Sequence, residues 1–236
     1  MLPKIKVPTF DITIPNEAGT YKARSMVVAE EKILLMAKES GERADQLNAI
    51  LQVVNNCILM PKGFKAEELP YYKLEYLFLK IREQSVSNKA RVSYRDQEDD
   101  KVRDFVVDLA DVQLKCDEEK DNKIVLGDDV VMILRYPSAK MYASKEFQEQ
   151  KPETIMEYLI SNCIDKIFEG DKAHDPKVAS KAELKEFIES IPSKQFEEIQ
   201  NYFAGIPSLY YKIEYTNDMG TKREIELKTL DDFFTF

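Results

Sequence analysis

LEYLFLKIREQSVSN, residues Leu74–Asn88, is the stretch that decides the fold. Its apolar side chains recur at helical spacing: Leu74, Leu77, Phe78 and Ile81. Because residues three and four apart share one face of a helix, this spacing predicts a helix over Tyr71–Gln84 with one buried face. After Gln84, short polar side chains compete for backbone hydrogen bonds and favour the end of the helix.

A second helix-forming stretch, VVAEEKILLMAKES, spans Val27–Ser40. It predicts a helix over Ala29–Ser40 that ends at Gly41. Glu30 and Glu31 lie in the first turn, where negative charge suits the positive end of the helix dipole. Neither of the two stretches contains a nucleophile, a cluster of metal ligands or a phosphate-binding loop, so both are typical of segments used for packing and contact.

The rest of the chain mixes short strands with amphipathic helices. A further helix is predicted over Ala44–Leu59, and another along an apolar stripe that begins with Pro152 in the first turn and ends at Gly170. Two more are predicted: one begins with a capping box at Ser180–Glu183 and runs to Ile191, and the other begins with a capping Ser193 and runs through Phe203. Strands are predicted over 4–14, Thr20–Val28, 89–95, 101–109, Val112–Lys115, Lys123–Leu126, Val130–Arg135, Leu209–Tyr215 and Lys222–Leu227. Helices with antiparallel strands, rather than βαβ units, indicate an α+β fold. We expect two lobes, residues 1–110 and 111–236.

Composition excludes several classes of protein. The chain has 236 residues, of which 44% are hydrophobic and 33% charged, which favours a folded globular protein over a disordered one. Apolar runs fall short of the roughly 20 residues that span a bilayer, and the first residues lack the core of a signal peptide. We therefore expect no membrane insertion and a protein that stays in the cytoplasm where it is made.

Charge and cysteine content indicate which class of partner and which redox environment to expect. The net charge of −9 repels phosphate backbones, so direct binding of nucleic acid is not expected. Cys57, Cys116 and Cys163 are widely separated and odd in number, which predicts buried, reduced thiols.

Several segments in a fixed order resemble a known family. The stretches RSMVVAEEKILLMAKES and LEYLFLKIREQSVSN are followed by Arg135-Tyr136-Pro137, by ELKEFIESIPSKQFEEIQNYFAGIP (Glu183–Pro207) and by a terminal LDDFF. Together they resemble the small baseplate proteins of T4-like tailed phages, the family of baseplate hub assembly proteins. The resemblance covers almost the whole chain and implies binding to other phage baseplate hub proteins, in the host cytoplasm or in the virion baseplate.

Catalytic and metal-binding patterns are weak. The acidic segment Asp117–Asp128 has calcium-loop spacing, but Asn122 stands where the loop needs glycine, which favours a solvated loop. Members of the resembled family often carry a C-x-x-C pair in the last hairpin, where this chain has Thr216 and Met219, so we expect no zinc site and no cofactor. The lone histidine, His174, is predicted in an exposed polar loop.

Candidate partner-binding residues lie in the two quoted helices and the tail. They are Glu30, Glu31, Lys32, Arg82, Ser85, Asn88, Phe233, Phe234 and Phe236. Two alternatives stay open for each group. The first-helix charges either stabilise the helix start or bind a partner, and Ser85 either bonds the nearby backbone or lies in an interface. The terminal phenylalanines either close the core over the Leu209–Leu227 hairpin or dock into a partner.

Three functions remain after these exclusions. The resemblance favours a hub assembly factor, a chaperone or adaptor that acts by protein–protein binding. A permanent structural subunit of the virion baseplate is the alternative. A hydrolase is the remote third possibility, because such an enzyme needs a tuned carboxylate pair in a cleft and the sequence identifies none.

Overall fold

The computed structural model describes residue 3 and residues 5–116 and 121–234. It divides the chain into two compact units, Met1–Lys115 with Ser208–Phe236, and Cys116–Pro207. This division differs from the expected lobes 1–110 and 111–236, because the terminal hairpin belongs to the first unit. The reason is a strand pairing in which Leu209 lies opposite Leu114.

The described residues form helices and strands in mixed order, and the predicted α+β class is confirmed. The helices are α1 (Val28–Ser40), α2 (Arg43–Cys57), α3 (Tyr71–Ser85), α4 (Ala139–Tyr142), α5 (Lys145–Gln148), α6 (Ile155–Cys163), α7 (Lys181–Glu189), α8 (Ser193–Ala204) and α9 (Leu230–Phe233). The strands are β1 (Thr9–Ile12), β2 (Tyr21–Arg24), β3 (Ile58–Met60), β4 (Lys89–Arg95), β5 (Val102–Asp108), β6 (Gln113–Lys115), β7 (Lys123–Val125), β8 (Val130–Leu134), β9 (Ile164–Glu169), β10 (Lys172–His174), β11 (Ser208–Thr216) and β12 (Lys222–Leu227).

Helix α3 is the centre of the first unit. Its predicted extent is confirmed, but it is buried on more than the one face that the sequence spacing predicts. Leu74, Leu77, Leu79 and Ile81 are each 0% exposed, and the helix packs against α2, β1 and β11. Burying apolar area contributes roughly 25 cal/mol per Å², so the buried side chains of this helix contribute to the hydrophobic stabilisation of the unit.

The strands of the first unit form small antiparallel sheets. Strand β2 pairs with both β1 and β3, β4 pairs with β5, and β11 pairs with both β6 and β12. The predicted terminal hairpin is confirmed, and Ile213 lies opposite Ile225 in its register.

A network of charged and polar groups joins the tips of the β4–β5 and β11–β12 hairpins. Asp96, which is fully buried, accepts a hydrogen bond from the Tyr215 hydroxyl at 2.5 Å. Asp99 pairs with Arg103, which also donates to Asp218 at 2.9 Å. The Arg103 guanidinium holds the pKa of the Asp99 carboxyl well below its usual range. The acidic β4–β5 loop therefore acts as a structural connector to the β11–β12 turn.

The second unit packs helices against one antiparallel sheet. Its strand order is β10-β9-β8-β7, and its core joins residues of that sheet to α6, α7 and α8. The buried members include Met132, Leu134, Ile160, Ile164 and Ile199. The predicted capping box is confirmed, since Ser180 Oγ accepts from the Glu183 N–H and the Glu183 carboxylate accepts from the Ser180 N–H.

Two predicted helices are wrong at their C-terminal ends. The helix predicted over Ala44–Leu59 ends at Cys57, and Ile58 starts a strand that pairs with β2. The apolar stripe predicted to stay helical as far as Gly170 leaves the helix at Cys163, and its second half is β9. In both cases pairing with a neighbouring strand overrides an apolar run that suits either structure.

Other predicted features are corrected locally. Pro152 lies in a turn before α6 rather than in its first helical turn, and Ser193 is the first residue of α8, after a Pro192 cap. His174 belongs to β10 and is half-buried, so the exposed loop predicted for it is wrong. Cys57 and Cys163 are buried free thiols, as predicted, whereas Cys116 is exposed.

The short C-terminal helix α9, which with Phe234 we call the C-terminal turn, is held on α3 by the buried carboxyl group of Glu75. Glu75 is 4% exposed, and its Oε1 accepts a hydrogen bond from the Leu230 N–H at 3.3 Å. Burial raises the pKa of Glu75 to about 8, and the nearby charges of Asp231 and Asp232 act in the same direction. The Leu230 N–H and the Tyr71 side chain act in the opposite direction.

Glu75→Gln is expected to remove a pH dependence of stability. A glutamate in the unfolded chain has a pKa of about 4.3, whereas burial raises the pKa of Glu75 to about 8 in the folded protein. Between these values the folded protein holds the extra proton, so the free energy of unfolding falls as the pH rises, at up to about 1.4 kcal/mol per pH unit. Thermal unfolding across this window should show a falling Tm for the wild type and a flatter profile for Glu75→Gln.

The control for this experiment is Glu68→Gln, because Glu68 is an exposed glutamate. This variant should keep the wild-type pH profile. Parallel profiles for all three proteins would contradict the assignment of the titration to Glu75.

Candidate functional site

A groove of about 520 Å³ opens on the first unit. It is lined by residues of α1, α3 and β4 and by the phenylalanines of the C-terminal turn, and we call it the α1–α3 groove. Its size lies within the range of roughly 300–1,000 Å³ that is typical of ligand pockets.

One face of α1 supplies a wall of the groove. Glu31, Leu35 and Lys38 recur at helical spacing along it, beside Leu34. Leu35 is 56% exposed, and Val86, which follows α3, is 50% exposed. The groove therefore presents apolar surface to the solvent although the buried Phe78 also lines it.

Arg82 of α3 lines the groove, and one nitrogen of its guanidinium has no hydrogen-bond acceptor among the described residues. Its Nη1 atom is buried and has no partner among the residues that the structure describes. The guanidinium carbon lies 5.9 Å from the centroid of the Phe234 ring, a cation–π distance. Burial lowers the pKa of Arg82, while the charge of Glu31 acts in the opposite direction.

The charged lining of the groove is mainly basic. Lys38, Arg82, Lys89 and Arg91 line it with Glu31 as the acidic residue. The side chains of Lys89 and Arg91 are exposed on β4 and form no ion pair within the described part of the chain. A basic groove on a protein of net charge −9 is a local reversal of the overall charge.

Four predicted partner-binding residues meet in this groove: Glu31, Arg82, Phe233 and Phe234. Phe233 is 2% exposed, and Phe234 contacts Phe78 edge-to-face with ring centroids 6.1 Å apart. The phenylalanines thus close the core against α3 as well as lining the groove. Phe236 lies outside the described residues.

Glu30 is a structural residue of the helix start. It is 2% exposed, pairs with Arg24 at 2.8 Å and accepts from the Val27 N–H at 2.9 Å. The hydrogen bond from Arg24 is the main cause that lowers the pKa of Glu30. Lys32, two residues further on, is exposed.

Ser85 joins the end of α3 to the segment before α1. Its hydroxyl accepts from the Met26 N–H at 2.8 Å and donates to the Ile81 carbonyl. These bonds support the backbone-bonding alternative. Asn88 is exposed and donates to the Asp108 carboxylate at 3.1 Å, so it braces the start of the β4–β5 hairpin.

Within the described residues no group of three or more His, Cys, Asp or Glu side chains is placed to hold a metal ion. Thr216 ends β11 and Met219 is exposed in the following turn. Residues 117–120 of the acidic segment lie outside the described part.

The second unit has its own groove, of about 640 Å³. His174 lines it and lies 3.2 Å from the Glu169 carboxylate, Nε2 to Oε2. Glu183, which also lines it, is committed to the capping box of α7.

Sequence reasoning missed the groove residues Leu35, Lys89 and Arg91. The available signal for Leu35 was a leucine outside the apolar stripe of an amphipathic helix. Its neighbours in the groove come from segments that are distant in sequence. It also missed the hairpin network, because the run Asp96–Asp100 is typical of a solvated loop.

Comparisons with known proteins gave one result. A family model described as T4 bacteriophage base plate protein matches residues 7–235, nearly the whole chain. The searches of curated proteins and of solved structures gave no match. Among the helices of the described residues, none has the length and apolar character required to span a membrane.

Ser85→Ala is expected to lower the free energy of unfolding by about 1–3 kcal/mol, because it leaves the Met26 N–H without its acceptor. Denaturant unfolding measures this loss. Ser93→Ala is the matched control, since Ser93 is exposed and its hydroxyl donates to the Asp104 carboxylate on the surface. If Ser85→Ala unfolds like the wild type but fails to complement a baseplate defect, Ser85 acts through a partner instead.

Proposed function

The chain belongs to the T4 bacteriophage base plate protein family, which implies a role at the phage baseplate, and from this premise we propose that it is a non-enzymatic assembly factor of the baseplate hub. As a chaperone or adaptor in the host cytoplasm, it binds other hub proteins and holds them ready for assembly. No cofactor takes part in this function.

The observation that carries the proposal is the α1–α3 groove. It combines solvent-exposed apolar side chains, Leu35 and Val86, with an arginine that lacks an acceptor within the described residues. Exposed apolar surface together with unpaired charge is typical of a protein-binding site. Four of the residues that the sequence suggested for partner binding meet there.

A permanent structural subunit of the virion baseplate is the second candidate. The description of the matching family as a base plate protein favours it. The two functions differ in whether the chain leaves the complex, so they give different protein contents in the finished particle.

An affinity-tagged chain expressed during infection should separate these candidates. We expect hub proteins to co-purify with it from the lysate and the chain to be depleted from purified particles, with both samples quantified by mass spectrometry. A chain present in particles in fixed proportion to the other baseplate proteins would establish the structural subunit. A chain that captures no baseplate protein from the lysate would contradict the proposed function.

Polar substitution in the groove should weaken capture of the hub proteins without unfolding the protein. For the double variant Leu35→Ser/Val86→Ser we expect recovery from the lysate to fall by about tenfold. Since both side chains are half-exposed or more, Tm should change by only a few degrees. Val106→Ser/Met219→Ser, at exposed positions elsewhere in the same unit, is the matched control and should retain capture.

A further inference from the structure

We propose that the α1–α3 groove binds an acidic, amphipathic segment of a partner protein, with apolar side chains in the groove and a carboxylate on Arg82. This inference rests on the proposed function and specifies the chemistry of the partner.

Charge complementarity identifies the occupant. The lining carries four cationic side chains, Lys38, Arg82, Lys89 and Arg91, and one acidic residue, Glu31. A basic segment would meet these cations as like charges, and a purely apolar segment would offer no acceptor to Arg82. An acidic segment satisfies both constraints.

Arg82 provides the specific anchor. The Nη1 atom is buried and finds no acceptor in the described residues, and its aromatic neighbour Phe234 supplies none. A guanidinium presents a rigid fork of donors that matches a carboxylate. Since the Arg82 side chain lines the groove, a carboxylate from outside the protein can pair with its guanidinium there.

The apolar lining explains why charge alone is not enough. Leu34, Leu35 and Val86 lie beside the charged groups, and Leu35 and Val86 are 56% and 50% exposed. A segment with leucine or phenylalanine on one face and glutamate or aspartate along the edges would cover this surface, in the manner of a helix in a groove.

The test uses a fluorescein-labelled peptide of about 16 residues, long enough for helix formation, with leucines on one face and glutamates beside them. Fluorescence anisotropy with the full chain should show saturable binding that weakens as salt is added. Two comparison peptides replace every glutamate by lysine or every leucine by serine. Equal binding of either comparison peptide would overturn the proposal.

Charge reversal locates the binding site. Lys89→Glu/Arg91→Glu should weaken binding of the acidic peptide by about tenfold or more. Lys22→Glu/Lys62→Glu carries the same change in net charge at exposed positions outside the groove and should bind within about twofold of wild type. Equal losses in both variants would assign the binding to overall charge and overturn the proposal.

Arg82→Met separates binding from structure. Methionine keeps the apolar stem and a contact with Phe234, and it removes a half-buried charge that has no acceptor within the described residues. We expect a Tm equal to or above that of wild type, with peptide binding weakened about tenfold. A large drop in Tm with unchanged peptide affinity would make Arg82 a structural residue and overturn the proposal.

These outcomes are distinct from failure of the proposed function. If the acidic peptide does not bind while hub proteins are still captured from the lysate, the groove proposal fails and the assembly function stands. If the peptide binds with the expected variant pattern but no baseplate protein is captured, the assembly function fails. A dimer in sedimentation that Lys89→Glu/Arg91→Glu abolishes would make a second copy of this chain the occupant and overturn the proposal.

Discussion

The burial of α3 is the constraint on which the rest of the first unit depends. A polar side chain buried on such a helix is shielded from water, so it is stabilised only by a partner within the fold. Glu75 meets this requirement through the backbone of Leu230, and Ser85 through the backbone of Met26. These bonds tie the C-terminal turn and the start of α1 to one helix. Segments that are distant in sequence therefore meet along α3, and the groove forms between them.

The same constraint explains why Arg82 stands apart from the other two residues. Glu75 and Ser85 have backbone donors positioned against them, whereas the Arg82 side chain has aromatic and aliphatic neighbours and no acceptor among the described residues. Burial lowers the pKa of Arg82 and the charge of Glu31 acts in the opposite direction, yet the two side chains form no ion pair. Two polar groups of the helix thus have backbone partners, while Arg82, which lines the groove, keeps one donor without an acceptor in the described residues.

Local sequence patterns predict those elements whose boundaries carry their own chemical signals. The extent of α3, the capping box at Ser180 and the terminal hairpin follow from periodicity, caps and turn residues. The helix-to-strand changes after Cys57 and Cys163 do not, because isoleucine follows each cysteine and apolar residues continue through the change of period. Strand pairing decides both sites, and a single segment contains no information about its pairing partner. The groove is harder still to predict. The sequence predicts candidate residues on α1 and α3. Lys89 and Arg91 become part of the site only because β4 lies beside these two helices.

The free protein bears a cost at Arg82 that a partner can recover. Taking a guanidinium out of water without an acceptor is unfavourable, and the stacking on Phe234 offsets this only in part, because a ring face attracts the charge but accepts no strong hydrogen bond. An uncharged side chain of similar length would pack equally well at this position. Because the guanidinium is already half-buried at the groove, pairing with a partner carboxylate removes less of it from water than the pairing of an exposed arginine would. Part of the desolvation cost that usually weakens a buried ion pair is then met during folding, so more of the pairing energy is available for binding.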